Sequence, residues 1–447
     1  MTSLSVIGGG LAGCEAAWQA AEHGLEVTLY EMRPLRTTGA HTTSQLSELV
    51  CSNSLGSSLP YRAAGLLKLE VALMGSMLLD CAQRVAVPAG TALAVDRAAF
   101  SELVTSRIQN HRHIRLVRQE ITRIPPGLCI VASGPLTSDA LAGALTALTG
   151  EANLAFFDAI SPIIEVDSID FDIAFRASRS RGGQAADADY INCSMGREEY
   201  YRFVAALATA DRIPLRDIEA PIADGVRAGT YFEGCLPIEV MAGRGLEALA
   251  FGPLRPIGLR DPRTGKRPYA VVQLRQDNLA GTLYNLVGFQ TNLRYPEQER
   301  VFRMIPGLQQ AEFARFGQMH RNTYIASPRL LRPTLQFHDR DDLLFAGQIM
   351  GAEGYMGNIA TGLLAGINAG RIARGEQPWV MPPETMIGAL CHYVTHADLR
   401  DFQPMKANYG ILPSLQSEVR GGKVDRARAY TERALSSLTR HLALAPA

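Results

Sequence analysis

A glycine-rich turn near the start of the chain constrains its fold more than any other feature. Leu4, Val6 and Ile7 are apolar, so that residues 4–7 have the pattern of a buried strand, and they lead directly into Gly8-x-Gly10-x-x-Gly13. Residues 14–23 then have a helical pattern that Gly24 ends, and residues 26–30 form a second predicted strand. A strand, a glycine-rich turn, a helix and another strand form a βαβ unit, which indicates an α/β fold.

This turn has the chemistry of a dinucleotide-binding loop. Its glycines let the backbone approach a pyrophosphate, and the helix N-terminus offers unpaired N–H groups and partial positive charge. Glu31 ends the second strand, 18 residues after Gly13, where a carboxylate can accept a hydrogen bond from a ribose hydroxyl. NAD and FAD share this unit, so the loop alone does not choose between them. We predict cofactor contacts from Gly8, Gly9, Gly10, Leu11, Ala12, Gly13 and Glu31.

A second glycine-rich segment, near the far end of the chain, favours FAD. Residues 343–346 form a predicted strand, and a turn containing Gly347 and Gln348 follows before a helix rich in small residues. FAD-binding proteins of the two-dinucleotide-fold type have such a segment beside the ribityl chain and the flavin. Many of them have Asp where Gln348 stands, so we expect a different ribityl contact. The predicted contacts from this segment and from the similar Ser133-Gly134-Pro135 turn are Gly134, Gly347, Gly351, Gly354, Tyr355 and Asn358.

The pattern of predicted elements changes near residue 160, which indicates an inserted region. Up to that point we predict one helical stretch over residues 65–84 and a helix capped by Asp96. Beyond it, Gly- and Pro-punctuated runs alternate with predicted strands at 269–275 and 283–289. We therefore predict a discontinuous FAD-binding domain, residues 1–160 and 318–447, around an inserted α+β domain at 161–317. A polar helix is expected after Pro413.

Composition excludes several classes of protein. Lys+Arg and Asp+Glu both number 44, so a strongly basic nucleic-acid-coating protein is excluded, although a local basic patch is not. No apolar stretch reaches the roughly 18 residues of a membrane span, and no signal peptide is evident, so we expect a cytoplasmic protein. The seven cysteines form no CxxC pair, which argues against a disulfide framework and against a metal site.

Several short motifs run in order along nearly the whole chain, among them Tyr30-Glu-Met-Arg-Pro34 and Val50-Cys-Ser-Asn-Ser-Leu-Gly56. Further motifs lie at 6–17, 232–239, 261–266, 319–324 and 402–408. Together they resemble the folate- and FAD-dependent tRNA (uracil-5-)-methyltransferase family, TrmFO. The related MnmG (GidA) family shares the glycine-rich loop and the Gly-Gln…Gly-Tyr segment but looks different elsewhere.

The resemblance implies an FAD-binding Rossmann-like fold, with Arg33 among the cofactor contacts, and a defined reaction. In it, 5,10-methylenetetrahydrofolate supplies a one-carbon unit to the T-loop uridine of tRNA, position 54. Reduced FAD supplies the hydride that turns the methylene into a methyl group, and NADH or NADPH re-reduces the flavin. The alternatives are an MnmG-like wobble-uridine modifier and a flavin-bound RNA-binding protein without catalysis.

Two cysteines in polar surroundings, Cys51 and Cys235, fit this chemistry. Carbon 5 of uracil is a poor nucleophile, and a thiolate that adds to carbon 6 activates it. With the resemblance, we predict Cys235 as the nucleophile and Cys51 as a second thiol near the flavin, a base or a guard; the two roles could be reversed. The cysteines in apolar helix or strand patterns, Cys14, Cys81, Cys129 and Cys391, are predicted to be buried, and Cys193 is ambiguous.

Basic residues are the candidates for RNA contacts. His320 could stack on the folate pterin or bind phosphate, and a structural histidine is the rival interpretation. Clusters of arginine are often only solvated faces, whereas RNA binding through them would weaken steeply with salt. The predicted substrate residues are His320, Arg321, Arg176, Arg179, Arg181 and Lys266.

Overall fold

The computed structural model describes residues 2–150, 154–179, 189–213, 236–416 and 419–444. Its strands are β1 Ser3–Ile7, β2 Glu26–Glu31, β3 Ser54–Ser57, β4 Ala86–Val87, β5 Ala92–Val95, β6 Ile114–Arg118, β7 Cys129–Val131, β8 Leu154–Ala159, β9 Ile163–Glu165, β10 Phe175–Arg176, β11 Tyr190–Met195, β12 Ala270–Gln276, β13 Leu283–Leu286, β14 Phe313–Arg315, β15 Met319–Tyr324, β16 Gln336–Phe337 and β17 Arg340–Phe345. Its α-helices are α1 Leu11–Glu22, α2 Ala63–Leu73, α3 Met77–Arg84, α4 Arg97–Asn110, α5 Asp139–Thr149, α6 Arg197–Thr209, α7 Ile238–Ala242, α8 Ala248–Phe251, α9 Tyr295–Phe302, α10 Ser327–Leu330, α11 Tyr355–Ala373, α12 Met386–His396 and α13 Lys423–Ala443. Short 3-10 turns lie at Val166–Ser168, Gly347–Met350 and Tyr409–Ile411.

The predicted βαβ unit is the start of a six-stranded sheet in the order β16-β17-β7-β1-β2-β6. All neighbours in it are parallel except β16 and β17. Ile7 lies opposite Val131, and Phe345 lies opposite the same residue from the other side. The carboxyl ends of β1, β7 and β17 therefore meet at one edge of the sheet, where open α/β folds bind ligands. This arrangement brings together the turns that follow the three strands.

A second sheet is antiparallel, in the order β10-β11-β12-β13-β9-β14. It has its own hydrophobic core, in which Tyr200, Phe203, Phe289 and Phe302 are among the fully buried side chains. The buried residues of this core all lie between residues 164 and 311, inside the predicted insert, whose exact boundaries stay a prediction. The paired strands β8 and β15 lie on either side of it in the chain.

Glycines on α11 allow this helix to pack closely against α1. A Cβ on Gly362 would lie 2.3 Å from the carbonyl oxygen of Ala12, and one on Gly366 would lie 2.5 Å from that of Ala16. Real Cβ atoms do not approach this closely, so only glycine allows α1 and α11 to pack with their backbones in contact. The matched order of these contacts shows that the two helices run in the same direction. Both therefore begin at the same edge of the sheet.

The predicted helix over residues 65–84 is wrong in one respect, because the structure has two helices there. Gly75 adopts a φ of +77°, which ends α2, and the side chain of Ser76 caps α3 by accepting a hydrogen bond from Leu79 N. The buried carboxylate of Glu15 also accepts the N–H groups at the start of α3. The cap at Asp96 and the polar helix near the C-terminus are found as predicted. Among the described residues, no helix combines the length and apolar character needed to cross a bilayer.

Candidate cofactor and thiol site

A cleft of about 980 Å³ opens at the edge of the sheet where the glycine-rich turn lies. Residues after β1, β2 and β7 form its walls, and the start of α11 closes one end. Of the residues predicted to contact a cofactor, Gly13, Gly347 and Gly351 line neither this cleft nor its neighbouring cavity. The predicted residues that do line the cleft are Gly8, Gly9, Gly10, Leu11, Ala12, Glu31, Arg33, Gly134, Tyr355 and Asn358.

The glycine-rich turn is too tightly folded to accept side chains at two positions. A Cβ on Gly13 would lie 1.8 Å from the carbonyl oxygen of Gly8, and one on Gly8 would lie 2.4 Å from that of Ala132. α1 begins directly after Gly10, with no side-chain cap and no acidic residue in its first turn. Its N–H groups and partial positive charge are therefore left for an anionic group in the cleft.

Glu31 is held as an anion at the end of β2. Its Oε2 accepts a hydrogen bond from Gly9 N at 3.0 Å, and its Oε1 accepts from Arg33 N and Arg33 Nε, both at 2.9 Å. Burial alone raises the pKa of Glu31, but the hydrogen bonds and charge of Arg33 outweigh it and lower the pKa. A carboxylate has about four lone-pair sites, so one remains for a ligand hydroxyl.

A second cavity of about 990 Å³ continues the first. Five residues line both: Val50, Pro135, Gln348, Tyr355 and Asn358. The two together form one elongated space that runs from the N-terminus of α1 to the loop carrying Cys51. Such a shape suits an extended dinucleotide rather than a compact ligand.

Cys51 differs from the other thiols that the structure describes. It is half-buried on the wall of the second cavity. Burial raises the pKa of Cys14, Cys129, Cys193 and Cys391 to about 12 and that of Cys81 to about 11. Those five remain protonated packing residues, as predicted for four of them, and the ambiguous Cys193 joins them. Cys51 is the thiol in the described residues that a ligand can reach.

The backbone around Cys51 is clamped from two sides. The hydroxyl oxygen of Tyr355 accepts hydrogen bonds from Cys51 N at 3.0 Å and Ser52 N at 3.1 Å. Burial raises the pKa of Tyr355, so its hydroxyl keeps its proton. On the other side, the guanidinium of Arg97 donates to the carbonyl of Leu49 at 2.6 Å and to that of Cys51 at 3.4 Å. The position of the thiol is thus fixed by α4 and α11.

The inserted unit reaches the same loop. Arg97 Nε lies 3.1 and 3.0 Å from the two carboxylate oxygens of Asp277, which is only 4% exposed. Asn53 donates to the carbonyl of Gln276 at 2.8 Å and accepts from Arg275 Nε at 2.9 Å. The end of β12 therefore holds the loop that carries Cys51. The position of Cys51 thus depends on contacts from the inserted unit as well as from α4 and α11.

The comparisons with known proteins give the family. Residues 3–377 match the family model "Glucose inhibited division protein A" (GidA). A protein of Synechococcus sp. (strain JA-2-3B'a(2-13)) named methylenetetrahydrofolate–tRNA-(uracil-5-)-methyltransferase TrmFO is 56% identical over 97% of this chain and 93% of its own length. One of the same name from Brevibacillus brevis is 52% identical over 98% of this chain and 97% of its own. The chain belongs to the TrmFO family. This confirms the resemblance predicted from the motifs.

Solved structures confirm the fold. Aquifex aeolicus GidA in one crystal form matches with a TM-score of 0.69 and 16% identity, over 100% of this chain and 74% of that chain. A second crystal form gives a TM-score of 0.68. The predicted α/β class, a Rossmann-like FAD-binding fold, is the class of these relatives.

The side chain of Asn322 also lies in this site, and no sequence motif indicated it. It is 0% exposed, it lines the second cavity, and within the described residues neither its Nδ2 nor its Oδ1 has a hydrogen-bond partner. The 319–324 motif drew attention to His320 and Arg321, whose backbone lies in β15 and whose side chains fall outside the described residues. A short polar amide directly after His320 and Arg321 gave no comparable signal.

A buried carboxylate, Glu353, also escaped prediction. It lines the second cavity, and its Oε2 accepts a hydrogen bond from Gln348 Nε2 at 2.6 Å. Asn358, predicted as a cofactor contact, uses its amide to accept from Gln348 N at 2.7 Å and to donate to Gly354 O at 2.8 Å. Gly351 faces the ring of Phe402 instead of the cavities. These residues shape the far-end turn from within.

The predicted substrate residues are scattered, and two predicted site residues cannot be placed. Arg176 donates to the hydroxyl of Tyr284 at 3.1 Å, and Arg179 donates to the carbonyl of Arg255 at 2.9 Å. Lys266 is exposed on a tight turn before β12. Arg181 and Cys235 lie outside the described residues.

Proposed function

We propose that the chain is a methylenetetrahydrofolate- and FAD-dependent tRNA (uracil-5-)-methyltransferase that makes 5-methyluridine at position 54 in the cytoplasm. The observation that carries this proposal is the thiol of Cys51 on a cavity continuous with the glycine-rich cleft. It stands in a chain 56% identical to a relative that bears this activity in its name. A purely structural protein of this fold needs no accessible thiol there.

The residues present fit FAD along the whole elongated space. The turn that admits no Cβ at Gly8 or Gly13 and the uncapped start of α1 would hold the pyrophosphate. The open lone-pair site of Glu31 would accept from the ribose. The unpartnered amide of Asn322 would pair with the polar edge of a flat ring, because both a donor and an acceptor are buried there without partners.

Reduced FAD, when bound, supplies the hydride that converts the methylene carried by 5,10-methylenetetrahydrofolate into a methyl group, and NADH or NADPH supplies the electrons. The thiol of Cys235 adds to carbon 6 of uracil and makes carbon 5 nucleophilic, and Cys51 acts as the second thiol, with reversal of the two roles as the alternative assignment. Tyr355 and Arg97 hold the Cys51 backbone so that its thiol stays on the cavity wall.

The target base must leave the tRNA stack to reach this cavity, and extraction costs a few kcal/mol. We infer that basic residues offset that cost by binding phosphates. The candidates remain His320, Arg321, Arg176, Arg179, Arg181 and Lys266.

The test is transfer of a labelled carbon. FAD-loaded protein is incubated with an unmodified tRNA transcript, NAD(P)H and methylenetetrahydrofolate labelled on its one-carbon unit, and the nucleosides are analysed by mass spectrometry. We expect labelled 5-methyluridine at position 54 with the wild type and none with Cys235→Ala or Cys51→Ala. Cys81→Ala is the matched control, since that thiol is buried away from both cavities.

The match to the GidA family model leaves one alternative open, an MnmG-like modification of the wobble uridine. Label at the wobble position, or a need for a second protein, would favour it. An RNA without label, from protein whose flavin is reduced normally, would refute the methyltransferase. Modification that survives both cysteine changes in cells would favour a non-catalytic RNA-binding protein.

A further inference from the structure

A surface segment of the inserted unit, residues 244–267, exposes large apolar side chains. Phe251 is 82% exposed, Leu246 is 62% exposed and Ile257 is 58% exposed. Isolated exposed apolar residues are ordinary, but three within one short segment make that segment a candidate interaction surface. The same segment carries six exposed cationic residues: Arg244, Arg255, Arg260, Arg263, Lys266 and Arg267.

The two carboxylates of this segment offset only part of that charge, because six cations and two anions leave a net charge of 6 − 2 = +4. Glu247 accepts hydrogen bonds from the hydroxyls of Tyr201 and Tyr269, the latter at 2.6 and 2.7 Å. Asp261 forms an ion pair with one arginine of the segment, in which its Oδ2 accepts from Arg263 Nη2 at 2.7 Å. The segment therefore carries an excess of positive charge, which favours an anionic partner.

Backbone hydrogen bonds close the turn that carries Lys266. Asp261 N donates to the carbonyl of Lys266 at 3.0 Å, and Gly265 N donates to that of Asp261 at 2.8 Å, which closes the turn from both ends. The contact of Tyr269 with Glu247 then joins this turn to the start of α8, the helix that ends in Phe251. The segments that carry Lys266 and Phe251 are therefore linked through Tyr269 and Glu247.

We propose that this surface binds the RNA substrate: Phe251 stacks on an unpaired base, and Lys266 and Arg267 hold adjacent phosphates. Exposed aromatic rings beside cations are what proteins use to bind single-stranded nucleic acid. A second copy of the chain would bring the same positive charge to this surface and be repelled. The inference rests on the proposed function, because it needs an RNA substrate.

The first test measures binding of an unmodified tRNA transcript to the FAD-loaded protein by fluorescence anisotropy. We expect Phe251→Ala to weaken binding about tenfold, the effect of losing one base stack, and Phe251→Tyr to restore it. Phe251→Leu keeps apolar area without an aromatic face and is expected to behave like the alanine variant. Leu73→Ala, at a 54% exposed position on α2, is the control and should bind as the wild type does.

The second test is the salt dependence of the same binding. Each lost phosphate contact makes the plot of log affinity against log salt concentration shallower, by about one unit of slope. We expect that decrease for Lys266→Gln and again for Arg267→Gln, with circular dichroism showing that both variants fold. An unchanged slope in both would overturn the phosphate contacts.

The outcomes separate this surface from the proposed function. Equal tRNA binding by the wild type and Phe251→Ala, with normal methylation, refutes the surface and leaves the enzyme intact. A dimer in sedimentation that Phe251→Ala dissolves, without any change in RNA binding, would show that the patch joins two copies instead. Failure of the wild type to bind tRNA would refute both proposals.

Discussion

Replacement of Asn322 by leucine should stabilise the protein without its cofactor and weaken its hold on the cofactor. The amide is fully buried and neither its donor nor its acceptor atom has a partner. A buried polar group without a hydrogen bond costs stability, and removal of both groups by a side chain of similar shape recovers that cost. Evolution keeps such a group where a ligand completes it.

The size of the gain in stability follows from the cost of burying unpaired polar groups. Each orphaned group costs about 1–3 kcal/mol, so Asn322→Leu should raise the free energy of unfolding by about 1–3 kcal/mol after some loss to imperfect packing. Each kcal/mol corresponds to about 2–4 °C in Tm for domains of about 150–250 residues, and to about 2 °C or less for a chain as long as this one. With FAD and tetrahydrofolate added, the variant should gain less in Tm than the wild type, because its side chain cannot pair with a ring.

Thermal unfolding of apoprotein and loaded protein measures both effects. Asn368→Leu is the matched control, since that buried amide donates to Thr334 O and Trp379 O and accepts from Trp379 N. Its replacement should destabilise the protein by a few kcal/mol in both states. If Asn322→Leu also destabilised the apoprotein, or if its gain in Tm with ligands equalled that of the wild type, the reasoning about the orphaned amide would be wrong.

Three further changes test the fold around the site by urea or thermal unfolding. Gly13→Ala should lower the free energy of unfolding by about 1–3 kcal/mol or more and abolish FAD retention, because its Cβ would lie 1.8 Å from a carbonyl oxygen. The control is Gly143→Ala, in open space on α5, which should raise the free energy of unfolding by about 0.5–1 kcal/mol. Arg97→Met leaves a buried carboxylate unpaired and should cost about 3–5 kcal/mol, whereas Arg400→Met, which breaks an exposed pair with Asp398, should leave stability nearly unchanged. Burial raises the pKa of Glu70 from 4.5 to about 7, so stability should fall as pH rises through that window, and Glu70→Gln should remove the fall.

The direction in which stability changes with pH follows from the release of the Glu70 proton on unfolding. Between pH 4.5 and about 7 the unfolded chain has an ionised Glu70 while the folded chain keeps it protonated, so a rise in pH favours unfolding; above about pH 7 the effect is complete. Equal pH profiles for the wild type and Glu70→Gln would contradict this. FAD retention in Gly13→Ala at the wild-type level, or equal costs for the two arginine variants, would contradict the other two expectations.

The dinucleotide half of the site could be predicted because its signals are local. Gly8, Gly10, Gly13 and Glu31 lie within one βαβ unit, and the backbone geometry of that unit dictates where glycine and a carboxylate must stand. The cap at Asp96 could likewise be predicted, since its Oδ1 accepts from the N–H of Ala99 only three residues later. Such features need no knowledge of how distant segments meet.

The thiol half could be predicted only in part, because distant segments build it. Arg97 and Asp277 are 180 residues apart, and no periodicity or turn residue marks them as partners. Asn322 appears in the sequence as one small polar residue of a strand. Its meaning depends on which cavity that strand faces and on whether another group satisfies its amide. The family resemblance located Cys51, but the clamp around it required the structure.

The two halves of the site are coupled through helix packing. α1 and α11 run in parallel with glycine at their contacts, so the turn before α1 and the turn before α11 move as one body. Tyr355, the first residue of α11, in turn holds the backbone of Cys51. A change at Gly362 that separated the helices would therefore displace the thiol as well as the pyrophosphate site, although Gly362 lines neither cavity. This coupling gives a physical reason why both glycine-rich segments, near opposite ends of the chain, must be glycine-rich together.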